Sequence, residues 1–243
     1  MAVTRALAVE TRRGALRLLP VLVLVLTLFA LPAATSRATS TAVTGPHAVR
    51  ALFFGDSIMN GTGAKPVRPV MARIAARTLG WDVTVDAFGG TGYTTGGTRG
   101  RPYLDRLSRP GVLTPAYDVV LLEGGTNDRK ADLETMHART TETVEYVRSR
   151  LPKAQIILMG AFNPMNPKSW RYDANRIAID GVIHTVAQEQ GLPFFSPISG
   201  HWTKGQGPKF LCPDGLHPST YGYGVMGAKL VAALRRSLQE ARG

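Results

Sequence analysis

Val49-Arg50-Ala51-Leu52-Phe53-Phe54-Gly55-Asp56-Ser57 is an apolar run that stops at a glycine and delivers a hydroxyl two residues later. The run has strand length and offers no polar face, as expected of a buried parallel strand. A serine just past the carboxyl end of such a strand stands where open α/β sheets collect their chemistry. By itself the Gly-Asp-Ser triplet is weak, because Asp56 or Ser57 is equally suited to cap a helix. The rest of the chain decides between the two.

Downstream, strands and helices alternate. Val70, Ile74 and Leu79 fall at helical spacing and predict a helix over 66–79, ended by Gly80. Trp81-Asp82-Val83-Thr84-Val85-Asp86-Ala87-Phe88 alternates at period two and reads as strand two. Tyr117-Asp118-Val119-Val120-Leu121-Leu122 is a third strand, apolar on both faces, and runs into Glu123-Gly124-Gly125-Thr126-Asn127-Asp128. A helix follows over 133–150, then Ile156-Ile157-Leu158-Met159 as strand four. Another helix over 172–190, the pair Phe194-Phe195 as strand five and a last helix over 220–239 complete the order. This alternation predicts a single-domain α/β protein. Its expected form is a flavodoxin-like three-layer sandwich on a five-stranded parallel sheet of order 2-1-3-4-5.

The connections differ in character. Residues 58–65 read as a loop, and 89–97 are dense in glycine, which permits close backbone approach. The glycines match neither a dinucleotide fingerprint nor a P-loop. Residues 98–116 form an excursion carrying Arg99, Arg101, Arg106 and Arg109. These arginines read as a solvated surface, with a substrate rim as the alternative. Trp170 and Trp202 sit in late loops and suit packing or a pocket wall.

The chain has 243 residues and net charge +12. Residues 1–38 are basic, then apolar, then small, which is the order of a secretory signal peptide. The apolar stretch, 18–31, is short for a membrane span; an uncleaved anchor is the alternative. Ser36 and Ala38 suit cleavage after Ala38, and Arg12-Arg13 faintly resembles a twin-arginine signal. Removing this leader leaves 24 of the 29 basic and 16 of the 17 acidic residues, or +8. A Ser/Thr/Ala-rich linker at 39–47 precedes one domain at 48–243. The expected location is outside the cell or in its envelope. No long basic run with interleaved aromatics points to nucleic acid. Cys212 is the lone cysteine, so the fold rests on its core, and no ligand cluster suggests a metal or cofactor.

Four polar stations fall after strands or before the last helix: Ser57, the glycine loop to Gly92, Asn127, and Asp214 with His217. Acyl transfer needs a nucleophile, a base, a group that orients the base, and donors for an oxyanion. Ser57, His217 and Asp214 fit the first three. The Ser57 amide, a Gly92 amide and the Asn127 side chain fit the fourth, with Gly90 or Gly89 as alternatives to Gly92. Gly55-Asp56-Ser57, Gly92, Gly125-Thr126-Asn127-Asp128 and Asp214-Gly215-Leu216-His217-Pro218 together resemble the ordered blocks of the SGNH hydrolase superfamily, the GDSL-type esterases and lipases. The resemblance implies a metal-free serine ester hydrolase; the expected substrate is a small or medium acyl ester of a small molecule, glycan or lipid, and the expected state a monomer. One departure is Ala87, where the family usually carries asparagine. An acyltransferase using the same intermediate, or a catalytically idle envelope-binding module, are the alternatives.

Overall fold

The computed structural model describes residues 48–114, 116–164 and 172–240, so the leader and linker readings, and Trp170, lie outside the described residues. Five parallel strands form one sheet in the order β2-β1-β3-β4-β5. They are β1 (Arg50–Gly55), β2 (Asp82–Ala87), β3 (Val119–Glu123), β4 (Gln155–Met159) and β5 (Phe194–Phe195). The helices are α1 (Ser57–Asn60), α2 (Val70–Leu79), α3 (Tyr103–Leu107), α4 (Leu133–Arg150), α5 (Asn175–Glu189) and α6 (Thr220–Glu240). The expected fold class and strand order are the observed ones.

Both sheet faces are covered, which is why the central strands show no polar alternation. Ala51, Phe53, Val119, Leu121, Ile157 and Met159 face α2 and α6. Their neighbours Leu52, Phe54, Val120, Leu122, Ile156 and Leu158 face α3, α4 and α5. The edge strand β2 alternates exposed and half-buried residues, so its period of two was visible in the sequence.

Three boundaries differ from expectation. Helix α2 starts at Val70 because Pro66 and Pro69 lack amide donors and precede it; Pro69 takes the N-cap position. Helix α5 starts at Asn175 rather than 172. Residues 57–60, expected as loop, form the short helix α1, whose Gly61 closes it in a left-handed conformation with φ 79°. Trp202 is core: it is 5% exposed and stacks on Phe195 with centroids 6.2 Å apart.

Leu121 lies at the centre of the sheet with no exposure. Leu121→Ala should lower unfolding free energy by about 2–5 kcal/mol, since the rigid sheet cannot collapse into the cavity. Urea unfolding followed by circular dichroism checks this.

Candidate active site

The chain enters the site at the end of β1. An added Cβ on Gly55 would lie 2.4 Å from Glu123 Oε2 and 2.7 Å from Met59 Cβ, so only glycine allows β1 to pass this close to β3. Asp56 then caps α1, its Oδ1 accepting from Ile58 N at 2.7 Å. The capping and reactive readings of the triplet therefore divide between two residues. Asp56 is the cap, and Ser57, one residue on, points its hydroxyl away from the helix.

That hydroxyl meets the far end of the chain. Ser57 Oγ lies 2.9 Å from His217 Nε2. His217 Nδ1 lies 2.6 Å from Asp214 Oδ2, while Asp214 Oδ1 accepts the Leu216 and His217 amides at 2.9 Å each. Burial alone would raise the Asp214 carboxyl. The His217 ring and those two amides outweigh it and hold the group well below the ordinary carboxylate range. An ionised Asp214 fixes the tautomer with hydrogen on Nδ1, which leaves Nε2 as acceptor for the serine proton. The Asp214–His217 loop is pinned from both sides. Cys212 N donates to His217 O at 2.9 Å, and Ser219 N to Phe210 O at 2.8 Å. From α6, Tyr223 Oη donates to Thr62 O at 2.9 Å and Ser57 O at 3.4 Å.

Asn127 reaches the same edge of the sheet through Gly125, whose φ of 99° belongs to glycine. Thr126 anchors the turn: its hydroxyl accepts from Phe162 N at 3.0 Å and its carbonyl from Arg176 Nε at 2.9 Å. Asn127 Nδ2 donates to Asp56 Oδ2 and to Thr91 O, each at 2.9 Å. Gly92 stands differently from expectation. Its N–H donates to Thr95 O at 2.8 Å, and a Cβ there would run into the Asp128 carboxylate. Of the loop glycines, Gly89 lies against the serine, where an added Cβ would sit 3.6 Å from Ser57 Cβ.

Several residues of the site were missed by sequence reasoning. Asp128 is 1% exposed and accepts from Tyr93 N, Thr94 N and Thr94 Oγ1 at 3.2, 2.8 and 2.7 Å, binding the glycine loop to the end of β3. Glu123 is fully buried, and its Oε2 accepts from Asp56 N at 3.1 Å. Arg106, read as a surface or rim residue, is 2% exposed and bonded to Asp86. The signal for Arg106 was present: Tyr103, Arg106 and Leu107 share one helix face, and that face is buried. A cavity of about 740 Å³ adjoins the Asp214–His217 loop, lined by Pro164, His201, Lys204, Gln206, Phe210 and Leu211 among others.

Asp56 and Glu123 are both buried carboxyls raised first of all by desolvation; the Asp128 charge raises Asp56 further, and the Asp56 charge raises Glu123. Both Asp56 oxygens accept hydrogen bonds, whereas among the described residues Glu123 Oε1 has no partner, so Glu123 is the member held more firmly in its neutral form. The native state then holds more protons than the unfolded chain above the ordinary carboxylate range. Stability from this pair therefore declines as pH rises. Glu123→Gln keeps the acceptor for Asp56 N and removes the titration. Its stability relative to the parent chain should rise between pH 5 and pH 8. Urea unfolding at the two pH values tests this, and an unchanged difference would contradict a protonated Glu123.

Comparison with known proteins agrees with this architecture. A comparison with curated proteins finds no match. Among solved structures, a carbohydrate esterase family 2 enzyme with a carbohydrate-binding domain, from Corynascus thermopiles (Myceliophthora fergusii), superposes with TM-score 0.64 at 21% identity. That match covers 81% of this chain and 69% of the other. A family two carbohydrate esterase from Clostridium thermocellum, solved with cellohexaose, gives 0.61 at 21% identity, covering 81% and 67%. A lipase/acylhydrolase from Enterococcus faecalis gives 0.60 at 22% identity, covering 76% and 94%. At these identities the likeness is one of fold. Residues 53–225 match the model of the GDSL-like lipase/acylhydrolase family, so the chain belongs to that family and is an SGNH-type ester hydrolase.

Proposed function

We propose that the protein is an exported serine esterase that cleaves a small or medium acyl ester through Ser57, His217 and Asp214. The observation that carries this reading is the unbroken relay Ser57 Oγ–His217 Nε2–Asp214 at 2.9 and 2.6 Å. His217 takes the serine proton as Ser57 Oγ attacks the carbonyl carbon, and later returns it to the leaving alkoxide. Asp214 stabilises the imidazolium in between. Water, activated by the same imidazole, then hydrolyses the acyl-enzyme. Moving the acyl group to another alcohol uses the same intermediate, and the acceptor alone separates the two activities.

The oxyanion has three donors in this reading. The Ser57 N–H opens α1 and so has no intrahelical acceptor. The Gly89–Gly90 segment supplies a second amide, in preference to Gly92, whose N–H is engaged. Asn127 Nδ2 supplies the third by giving up the Thr91 carbonyl for a charged acceptor, which forms the stronger bond. Asp56 keeps its own bond to Nδ2 and so holds the amide in place during the exchange.

The cavity beside the Asp214–His217 loop mixes Phe210 and Leu211 with His201, Lys204 and Gln206. That lining suits an acylated glycan, or an acyl chain with a polar alcohol, better than a long wax-like ester. The basic, apolar, small-residue order of residues 1–38 supports export to the envelope or beyond. Among the described residues no helix is long and apolar enough to cross a membrane. N-terminal sequencing of secreted protein should begin near Thr39; recovery of intact 1–38 in the membrane fraction would favour an anchor.

Ser57→Ala should abolish hydrolysis of short-chain esters and acetylated sugars while the melting temperature holds. Turnover within about tenfold of the parent enzyme would remove Ser57 from the mechanism. Asn127→Ala should lower kcat by about 10²–10³ with little change in KM, because the lost donor acts on the developing charge. Unchanged kcat in a destabilised Asn127→Ala protein would make Asn127 a turn residue only.

A further inference from the structure

Arg106 sits on α3, outside the four polar stations, yet its guanidinium is buried beneath them. Nη1 donates to Gly55 O at 2.9 Å and Thr91 Oγ1 at 2.7 Å. Nη2 donates to Asp86 O at 3.0 Å and Asp86 Oδ1 at 2.7 Å. The rings of Phe54, Phe88 and Tyr103 surround it, with the guanidinium carbon 4.1, 4.8 and 5.4 Å from their centroids. One side chain thus bonds the last residue of β1, the end of β2 and the glycine loop.

These contacts close a ring. Gly55 leads to Asp56, which holds Asn127 Nδ2; Nδ2 reaches Thr91 O; and Thr91 Oγ1 returns to Arg106 and Gly55. The ring contains the Gly55–Asp56 peptide, which leads directly into Ser57, and the Asn127 side-chain amide. Its size is set by a planar, rigid guanidinium with fixed donor directions. We propose that Arg106 is a positioning residue for ester hydrolysis: it fixes the separation between Ser57 and the donors on the glycine loop and Asn127.

Two other roles fit less well. A substrate-rim arginine needs an exposed head group, and Arg106 is 2% exposed. A simple buried ion pair with Asp86 would explain Nη2 but not Nη1, which bonds two uncharged acceptors on different segments. Arg109 shares Asp86, donating to Oδ2 at 2.7 Å, and so orients the carboxylate that Arg106 grips. Asp86 and Arg106 thus tie the end of β2 to the end of β1.

The proposal rests on Ser57 as nucleophile, and the test separates the two. The parent enzyme and Ser57→Ala are compared first on a short-chain ester. Loss of turnover in Ser57→Ala secures the nucleophile before the other variants are read. Active sites are then titrated with a fluorophosphonate, and kcat is expressed per titrated site well below each melting temperature. Arg106→Lys keeps the charge but cannot span three segments. It should lower kcat per site about 10- to 100-fold, the loss expected of a misplaced reacting geometry. KM should stay within about threefold, since the guanidinium is buried at 2% exposure and acts only through other groups. A purely structural role would lower the melting temperature and the number of titratable sites but leave turnover per site unchanged. Arg106→Lys with kcat per site within about twofold of the parent overturns the proposal. If Arg106→Lys does not fold, Thr91→Val decides alone, because it removes the link from Arg106 to the loop together with a single bond inside the loop, from Thr91 Oγ1 to Phe88 O. It should lower kcat per site about tenfold, and unchanged turnover there overturns the proposal equally.

Discussion

The hydrogen bond between Ser57 and His217 joins residues 160 apart in sequence across 2.9 Å, and most of the fold serves to hold that distance. Neither residue is held at that distance by its own loop alone. Ser57 is fixed because β1 is the second strand of the sheet, paired with β2 on one side and β3 on the other. His217 is fixed because its loop is clamped to Phe210, Cys212 and the start of α6. Helix α6 packs on α2, and its Tyr223 returns to the nucleophile turn. The geometry depends on a packed core rather than on local chain stiffness, as catalytic constellations on rigid elements generally do.

Under the serine the protein concentrates charge that it does not expose. Asp56, Glu123, Asp128 and Arg106 are each no more than 2% exposed. Burying carboxyls is costly unless they are paired, hydrogen-bonded or neutralised. Each takes a different route. Asp56 accepts two hydrogen bonds, Asp128 accepts from two amides and a hydroxyl, and Glu123 is pushed towards its neutral form by burial and the Asp56 charge. Such groups direct the chain more narrowly than apolar packing does, because each has few acceptable partners. They cluster where β1, β3 and the glycine loop must meet to within tenths of an ångström.

The sequence revealed the sheet order because the central strands are continuous apolar runs and the edge strand alternates. Ser57, the glycine loop and Asn127 were legible as well, since each follows a strand end, whereas Asp214 and His217 stand before the last helix. What stayed hidden was of two kinds. Short elements carry too little pattern: α1 is four residues and was read as loop. Buried charge looks like surface charge in a sequence: Arg106 lay among three other arginines, and nothing in their spacing marked it as the buried one until Tyr103 and Leu107 were placed on the same face. Gly92 was chosen from its block position, whereas hydrogen-bond direction, which a sequence does not carry, commits its amide to Thr95.

The central claim is that Ser57 forms a covalent acyl intermediate with His217 as its base. Rapid acid quench during turnover of an activated short-chain ester, followed by peptide mapping by mass spectrometry, tests it most directly. The account predicts one acyl group on the peptide containing Ser57, absent from Ser57→Ala and greatly slowed in His217→Ala. Steady turnover with the acyl group on another residue, or undiminished acylation of Ser57 in His217→Ala, would contradict it.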